Sequence, residues 1–182
     1  MTLLERLQKR LDLKARGEDT FIGGSGAGGV TNNARLFGGL LAAQATVAAL
    51  RTVAAPLALH SLHAYFLRPG RAERDITFRV TRTKEGKKFK VRSVYAEQNG
   101  KTIFQLQASF QAPEDGPEHA TAAPQVRGPE DCPNRDELRG RDRHTMPIDV
   151  RMATEITAKT NLPPEQHVWL KANGEIADDP HL

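Results

Sequence analysis

Hydrophobic and polar positions change their period along this chain. Leu36–Val53 (LFGGLLAAQATVAALRTV) is apolar almost all round, and Gln44, Thr46, Arg51 and Thr52 are its only interruptions after the glycine pair. The pattern predicts a helix without a polar face, which needs cover on most sides. Its apolar run falls short of the about 20 residues that span a bilayer. After Pro56 the period becomes two. Leu62, Ala64 and Phe66 are expected on one strand face with His60, and Ser61, His63, Tyr65 and Leu67 on the other, until Pro69-Gly70 ends the strand. Ile76, Phe78 and Val80 alternate with Thr77, Arg79 and Thr81 in a half-buried strand. Lys84–Lys87 reads as a turn. Phe89 and Val91 then begin a third strand against Lys90 and Arg92, with a phase slip and a bulge expected near Ser93–Val94. Asn99-Gly100 is a strong hairpin signal, and Phe104, Leu106, Ala108 and Phe110 alternate after it.

One buried helix followed by four antiparallel strands, each with an apolar face, predicts an α+β fold in which a curved sheet wraps the helix, the hotdog arrangement. Ahead of it, Met1–Leu13 reads as an amphipathic helix with Leu3, Leu4, Leu7 and Leu11 on one stripe, and Thr20–Ile22 as a short strand. Gly23–Gly29 (GGSGAGG) lacks the lysine and spacing of a phosphate loop and reads as a mobile loop. Asn32 and Asn33 are candidate caps for the buried helix. Residues 1–112 thus form the first unit. Pro113–Met146, which holds Pro113, Pro117, Pro124, Pro129 and Pro133 and few large apolar residues, reads as a linker. Ile148–Met152 and His167–Ala172 are strand-like, and residues 147–182 read as the opening of a second, incomplete unit.

Composition changes this picture little. With 182 residues, 38% hydrophobic and 26% charged, the chain suits globular folding. Charge alternates with leucine near the N-terminus in place of a secretory leader, and Cys132 is the single cysteine, so a reducing, cytoplasmic setting is expected. Cys132 lies beside Asp131, which disfavours a thiolate nucleophile. The net charge of +4 gathers at Arg79–Arg92 and Arg135–Arg143. Those runs are either solvated faces or phosphate contacts. No zinc-ligand spacing, RNA-recognition aromatics or recognition helix accompanies them, so no metal, cofactor, nucleic acid or membrane is expected as a partner.

Four stretches carry a family resemblance: Arg35–Ala45, Leu59–Gly70, Phe89–Glu114 and Val168–Leu182, with H-S-x-H-x-Y-F-L-R-P-G as the most specific motif. They resemble the type II acyl-CoA thioesterases. That resemblance implies two hotdog units in one chain, association into homo-oligomers through their sheets, and hydrolysis of acyl-CoA to free fatty acid and CoA without a cofactor. It also implies a catalytic Asp, Thr and Gln in the second unit, on segments past Leu182. Asp178 and Asp179 match a loop of the family, and Leu40 stands where a glutamine is frequent.

Thioester hydrolysis needs a base for water and donors for the developing oxyanion. Gly38 and Gly39 are candidate backbone donors at the start of the buried helix, or glycines that let it approach the sheet. Gln44 is either a hydrogen-bonded core residue or part of a site in this half. His60, at a matching family position, is the candidate general base, set against a satisfied core histidine. Arg68 is a candidate CoA-phosphate ligand, set against a solvated surface residue. The expected function is acyl-CoA thioester hydrolysis, with a non-catalytic hotdog module for acyl-CoA binding or assembly as the alternative.

Overall fold

The computed structural model describes residues 1–25, 35–141, 147–154 and 164–176. The caps expected at Asn32 and Asn33, most of the Gly23–Gly29 loop, and Asp178 and Asp179 lie outside them. Two compact units are present, one built of Gln8–Asp115 and the other of Gly116–Ala177 with Met1–Leu7.

The larger unit is a six-stranded antiparallel sheet around one helix. Strands β1 (Lys14–Gly17), β2 (Thr20–Gly23), β3 (Ala58–Phe66), β4 (Ile76–Glu85), β5 (Phe89–Gln98) and β6 (Lys101–Gln111) lie in the order β1-β2-β4-β5-β6-β3. The leading helix is α1 (Leu3–Leu11), and α2 (Gly38–Leu50) is the buried one. Ala45, Ala48 and Ala49 of α2 are fully buried against Phe78, Val94, Phe104 and Leu106 of the sheet. Small side chains on the helix let its axis come close, and the sheet supplies the large ones. At the Asn99-Gly100 turn both residues have positive φ, 50° and 69°, as a two-residue hairpin of this kind requires.

Three details differ from the sequence pattern. β1 was not expected: KARG is exposed along its whole length and has no apolar alternation to announce it. The bulge expected near Ser93–Val94 is absent, because Arg92 and not Val91 points inward. Arg92, Val94 and Ala96 lie opposite Ala108, Leu106 and Phe104 in unbroken register, and the irregularities flank this stretch, on β4 between Arg82 and Lys84 and against β6 between Ala96 and Glu97. Finally, β3 carries a bulge between Leu59 and Ser61, with consequences for His60 described below.

In the smaller unit, β7 (Ile148–Met152) pairs with β8 (Val168–Ala172). Part of the stretch expected as linker is built. Pro129–Asp131 forms a 3-10 turn and Arg135–Leu138 forms α3, whose first turn is capped by Asn134 accepting from the N–H groups of Asp136 and Glu137. Cys132, Asn134 and Asp136 are buried there in spite of the proline content. Cys132 Sγ sits 3.6 Å from Arg127 O, and the Trp169 indole donates to the same carbonyl at 2.9 Å. Local polar contacts replace the apolar pattern that sequence reading relies on.

Candidate functional site

The start of α2 is an uncapped helix end. Phe37 occupies the N-cap in an extended conformation and offers no side-chain acceptor. The first helical bond runs from Leu41 N–H to Phe37 O at 3.2 Å, so the N–H groups of Gly38, Gly39 and Leu40 stand outside the helical ladder. Both glycines are pressed by rings. A Cβ on Gly38 would stand 2.9 Å from Phe66 Cε1, and one on Gly39 would stand 2.6 Å from Phe37 Cε1. The two readings of the pair therefore meet here: close approach and free donors occur at one place. Phe37 and Phe66 are exposed around it, although Phe66 sits on the core-facing side of β3.

Gln44 lies on α2 and is fully buried. Its Nε2 donates to Arg10 O at 2.6 Å and to Gly24 O at 2.9 Å, fastening the end of α1 and the start of the glycine-rich loop to the helix. Among the described residues its Oε1 has no partner, and a Cβ at Gly23 would come within 3.0 Å of that oxygen. Leu40, where the family resemblance led to a glutamine, is a buried core residue.

His60 is on the opposite side of the sheet from the place expected for it. The β3 bulge turns it away from the Leu62–Phe66 face, and its Nε2 lies 2.8 Å from Ser109 Oγ on the outer surface. Its ring packs edge-on against Phe89, with centroids 6.2 Å apart. An extra residue in one strand inverts the side-chain alternation, and period-two reading cannot see it. His60 and the α2 glycines are therefore not brought together by the fold. Arg68 is exposed, and its Nη1 donates to Thr102 O at 2.7 Å.

The basic run Arg79–Arg92 is largely neutralised within the unit. Arg79 pairs with Glu97, Arg82 with Asp19, and Lys90 and Arg92 with Glu85. The Arg82 hydrogen bond holds the Asp19 carboxyl below the usual range, and Lys90 first, then Arg92, does the same for Glu85. Sequence reading missed that Arg92 is fully buried. It also missed Gln98, a buried side chain that holds the loop after β3. The signal for both was the inward phase of Val94 and Ala96, two and four residues along the strand from Arg92, with Gln98 next in the same series.

A helix sheathed by one antiparallel sheet, with its N-terminus open beside the edge strand, defines a hotdog-fold protein. Residues 28–111 match the family model described as the acyl-CoA thioesterase N-terminal domain. Acyl-CoA thioesterase 2 of Haemophilus influenzae is 36% identical to the chain, over 97% of this chain and 63% of its own length. The crystal structure of the acyl-CoA thioesterase II TesB2 from Mycobacterium marinum superposes with a TM-score of 0.76 at 32% identity, covering 98% of this chain and 63% of that one. A hot dog fold protein from Alicyclobacillus acidocaldarius, at 16% identity and a TM-score of 0.74 over 92% of this chain and 62% of that one, shares the fold alone. Over most of its length the chain is similar to acyl-CoA thioesterases of type II. It spans about 63% of the length of the thioesterase relative it matches.

Proposed function

We propose that the chain takes part in the hydrolysis of acyl-CoA thioesters to free fatty acid and CoA, by attack of water on the thioester carbonyl. The observation that carries this reading is the match of residues 28–111 to an acyl-CoA thioesterase N-terminal domain, the segment that builds the open start of α2. The free N–H groups of Gly38 and Gly39 suit the oxyanion of a tetrahedral intermediate, and the positive end of the helix dipole favours that charge. Gln44 holds this helix in place from within, and Arg68 is the proposed contact for a CoA phosphate. Residues 113–146 join this unit to the opening of a second hotdog. Cytoplasmic fatty-acid metabolism and homo-oligomers formed through sheet contacts complete the proposal.

One observation favours a second reading, a non-catalytic hotdog module that holds acyl-CoA or supports assembly. His60, the candidate base, faces Ser109 on the outer side of the sheet, remote from the face on which α2 packs. Release of free CoA thiol from a series of acyl-CoAs tests the two, with His60→Ala beside the wild type. Turnover that survives His60→Ala supports hydrolysis without that base, and turnover abolished by it assigns the base to His60. Binding of acyl-CoA without turnover supports the module.

A further inference from the structure

Arg35 and Arg71 face each other directly in an isolated antiparallel bridge, just ahead of Gly38. Leu36 N–H donates to Gly70 O at 2.9 Å in the same short ladder. Directly opposed like charges oppose such pairing. Both arginines are exposed, and among the described residues neither guanidinium forms an ion pair. Glu73 and Asp75 on the same loop leave them unpaired too, whereas Arg79, Arg82 and Arg92 are each matched by a carboxylate.

The backbone that presents Arg71 is held by a buried side chain. Gln98, itself buried, accepts from Arg71 N–H at 2.9 Å through Oε1 and donates through Nε2 to Arg71 O at 2.9 Å and Arg74 O at 3.0 Å. A buried amide thus fixes the backbone of Arg71 from both sides, while its charge is left for a ligand. Arginine forks suit phosphate oxygens in bidentate fashion, and a fixed frame lowers the ordering cost of binding.

We propose that Arg35 and Arg71 form a phosphate clamp for the nucleotide end of a CoA thioester. The choice of ligand rests on the thioesterase reading above; the clamp itself rests on the unmatched arginine pair. The test is calorimetric titration of the full chain with CoA, with pantetheine, which lacks the phosphates, and with a short single-stranded oligonucleotide. The variants are Arg71→Gln, Arg71→Lys and Arg35→Gln/Arg71→Gln, with Lys101→Gln as the control.

The expected result is a loss of CoA affinity of about tenfold in Arg71→Gln, a larger loss in the double variant, partial retention in Arg71→Lys, and pantetheine affinity unchanged throughout. Equal CoA affinity in wild type and double variant overturns the clamp, as does absence of CoA binding by the wild type or parallel loss of pantetheine. Oligonucleotide binding that is tighter than CoA binding and lost in the double variant overturns the choice of CoA. Thiol release separates the two readings. Hydrolysis with undiminished CoA affinity in the double variant removes the clamp alone, and Arg71-dependent CoA binding without hydrolysis removes the hydrolytic reading alone.

Discussion

Arg92 closes the C-terminal end of α2 through one residue, Thr52. Its Nε donates to Thr52 Oγ1 at 2.7 Å and its Nη2 to Thr52 O at 3.0 Å, while Thr52 Oγ1 donates onward to Ala49 O at 2.8 Å. Nη1 meets Lys84 O and Val91 O, and Glu85 balances the charge. A buried cation thus sits where the helix carbonyls end, which is where the helix dipole favours one.

Replacing Arg92 by Met keeps most of the volume and removes every bond that the guanidinium makes. The expected cost is about 2–3 kcal/mol, since buried carbonyls lose their donors while half-exposed Glu85 returns to water. Arg92→Lys should recover less than half of it, because an ammonium cannot reproduce the fork. Urea denaturation checks both, with a lowered midpoint at constant slope as the expected signature. A loss under 0.5 kcal/mol, as for an ordinary surface site, would mean that the cap contributes nothing.

Gln44 is the corresponding fastener inside the core. Gln44→Leu strips the donor from Arg10 O and Gly24 O together and should destabilise the unit by about 2 kcal/mol. The unpartnered Oε1 is removed as well, which offsets part of the loss. Hydrogen exchange should show the opening first at the end of α1 and at β2, the segments that Gln44 ties down. Uniform loosening of the whole sheet would contradict a local fastening role.

These two residues also mark where the sequence was legible and where it was not. The all-apolar stretch around Ala45–Ala49 announced a sheathed helix, and Asn99-Gly100 announced its hairpin, because both are local chemistry with one structural outcome. Arg92 broke the pattern: a charged residue took an inward position, so the strand phase was assigned to Val91. The acceptor that fixes its guanidinium inward, Thr52 just past the end of α2, lies forty residues away and is invisible to a local window. His60 failed for a different reason, a bulge that leaves no compositional trace. Of the candidate site, the glycines at the start of α2 were readable from sequence, and the arginine pair across Gly70 and Leu36 was not.

Asp19 and Arg82 predict an acid-dependent contribution. Asp19 occupies the β1–β2 turn at φ 51°, and its carboxylate accepts from Arg82 Nε at 2.7 Å and Nη2 at 3.0 Å. Its folded pKa is lowered, chiefly by that hydrogen bond. The pair therefore stabilises the fold above the usual carboxylate range, and the contribution disappears as pH falls through the folded pKa. Arg82 is largely exposed, so Arg82→Gln should cost no more than about 1 kcal/mol at neutral pH. The difference from wild type should vanish in acid and shrink in high salt. A gap that persists at pH 2 would show a packing effect instead.

Gly39 separates a structural from a functional role. The nearest atoms a Cβ there would meet all belong to the Phe37 ring, Cε1 at 2.6 Å and Cζ at 2.9 Å, and that residue is 72% exposed. Gly39→Ala should therefore change stability by less than about 1 kcal/mol, since alanine's better helix propensity works against the contact. If the N–H groups at this end stabilise an oxyanion, the displaced ring or shifted donors should lower thiol release by about tenfold or more. Unchanged turnover at unchanged stability would remove the glycine donors from the mechanism.

The free edge of β3 carries the last prediction. Among the described residues this strand pairs only with β6, and Leu62 and Phe66 on one face and Tyr65 on the other are each at least half exposed. An edge strand with apolar side chains and unpaired backbone groups is a template for another strand. Self-association through it should respond to a charge placed where the partner would sit. Leu62→Lys should leave the melting temperature within a few degrees, because the site is already half solvated. It should also shift the sedimentation profile toward monomer at concentrations where the wild type associates. If the wild type stays monomeric as its concentration is raised, or if Leu62→Lys associates as the wild type does, the contact between copies does not run through β3.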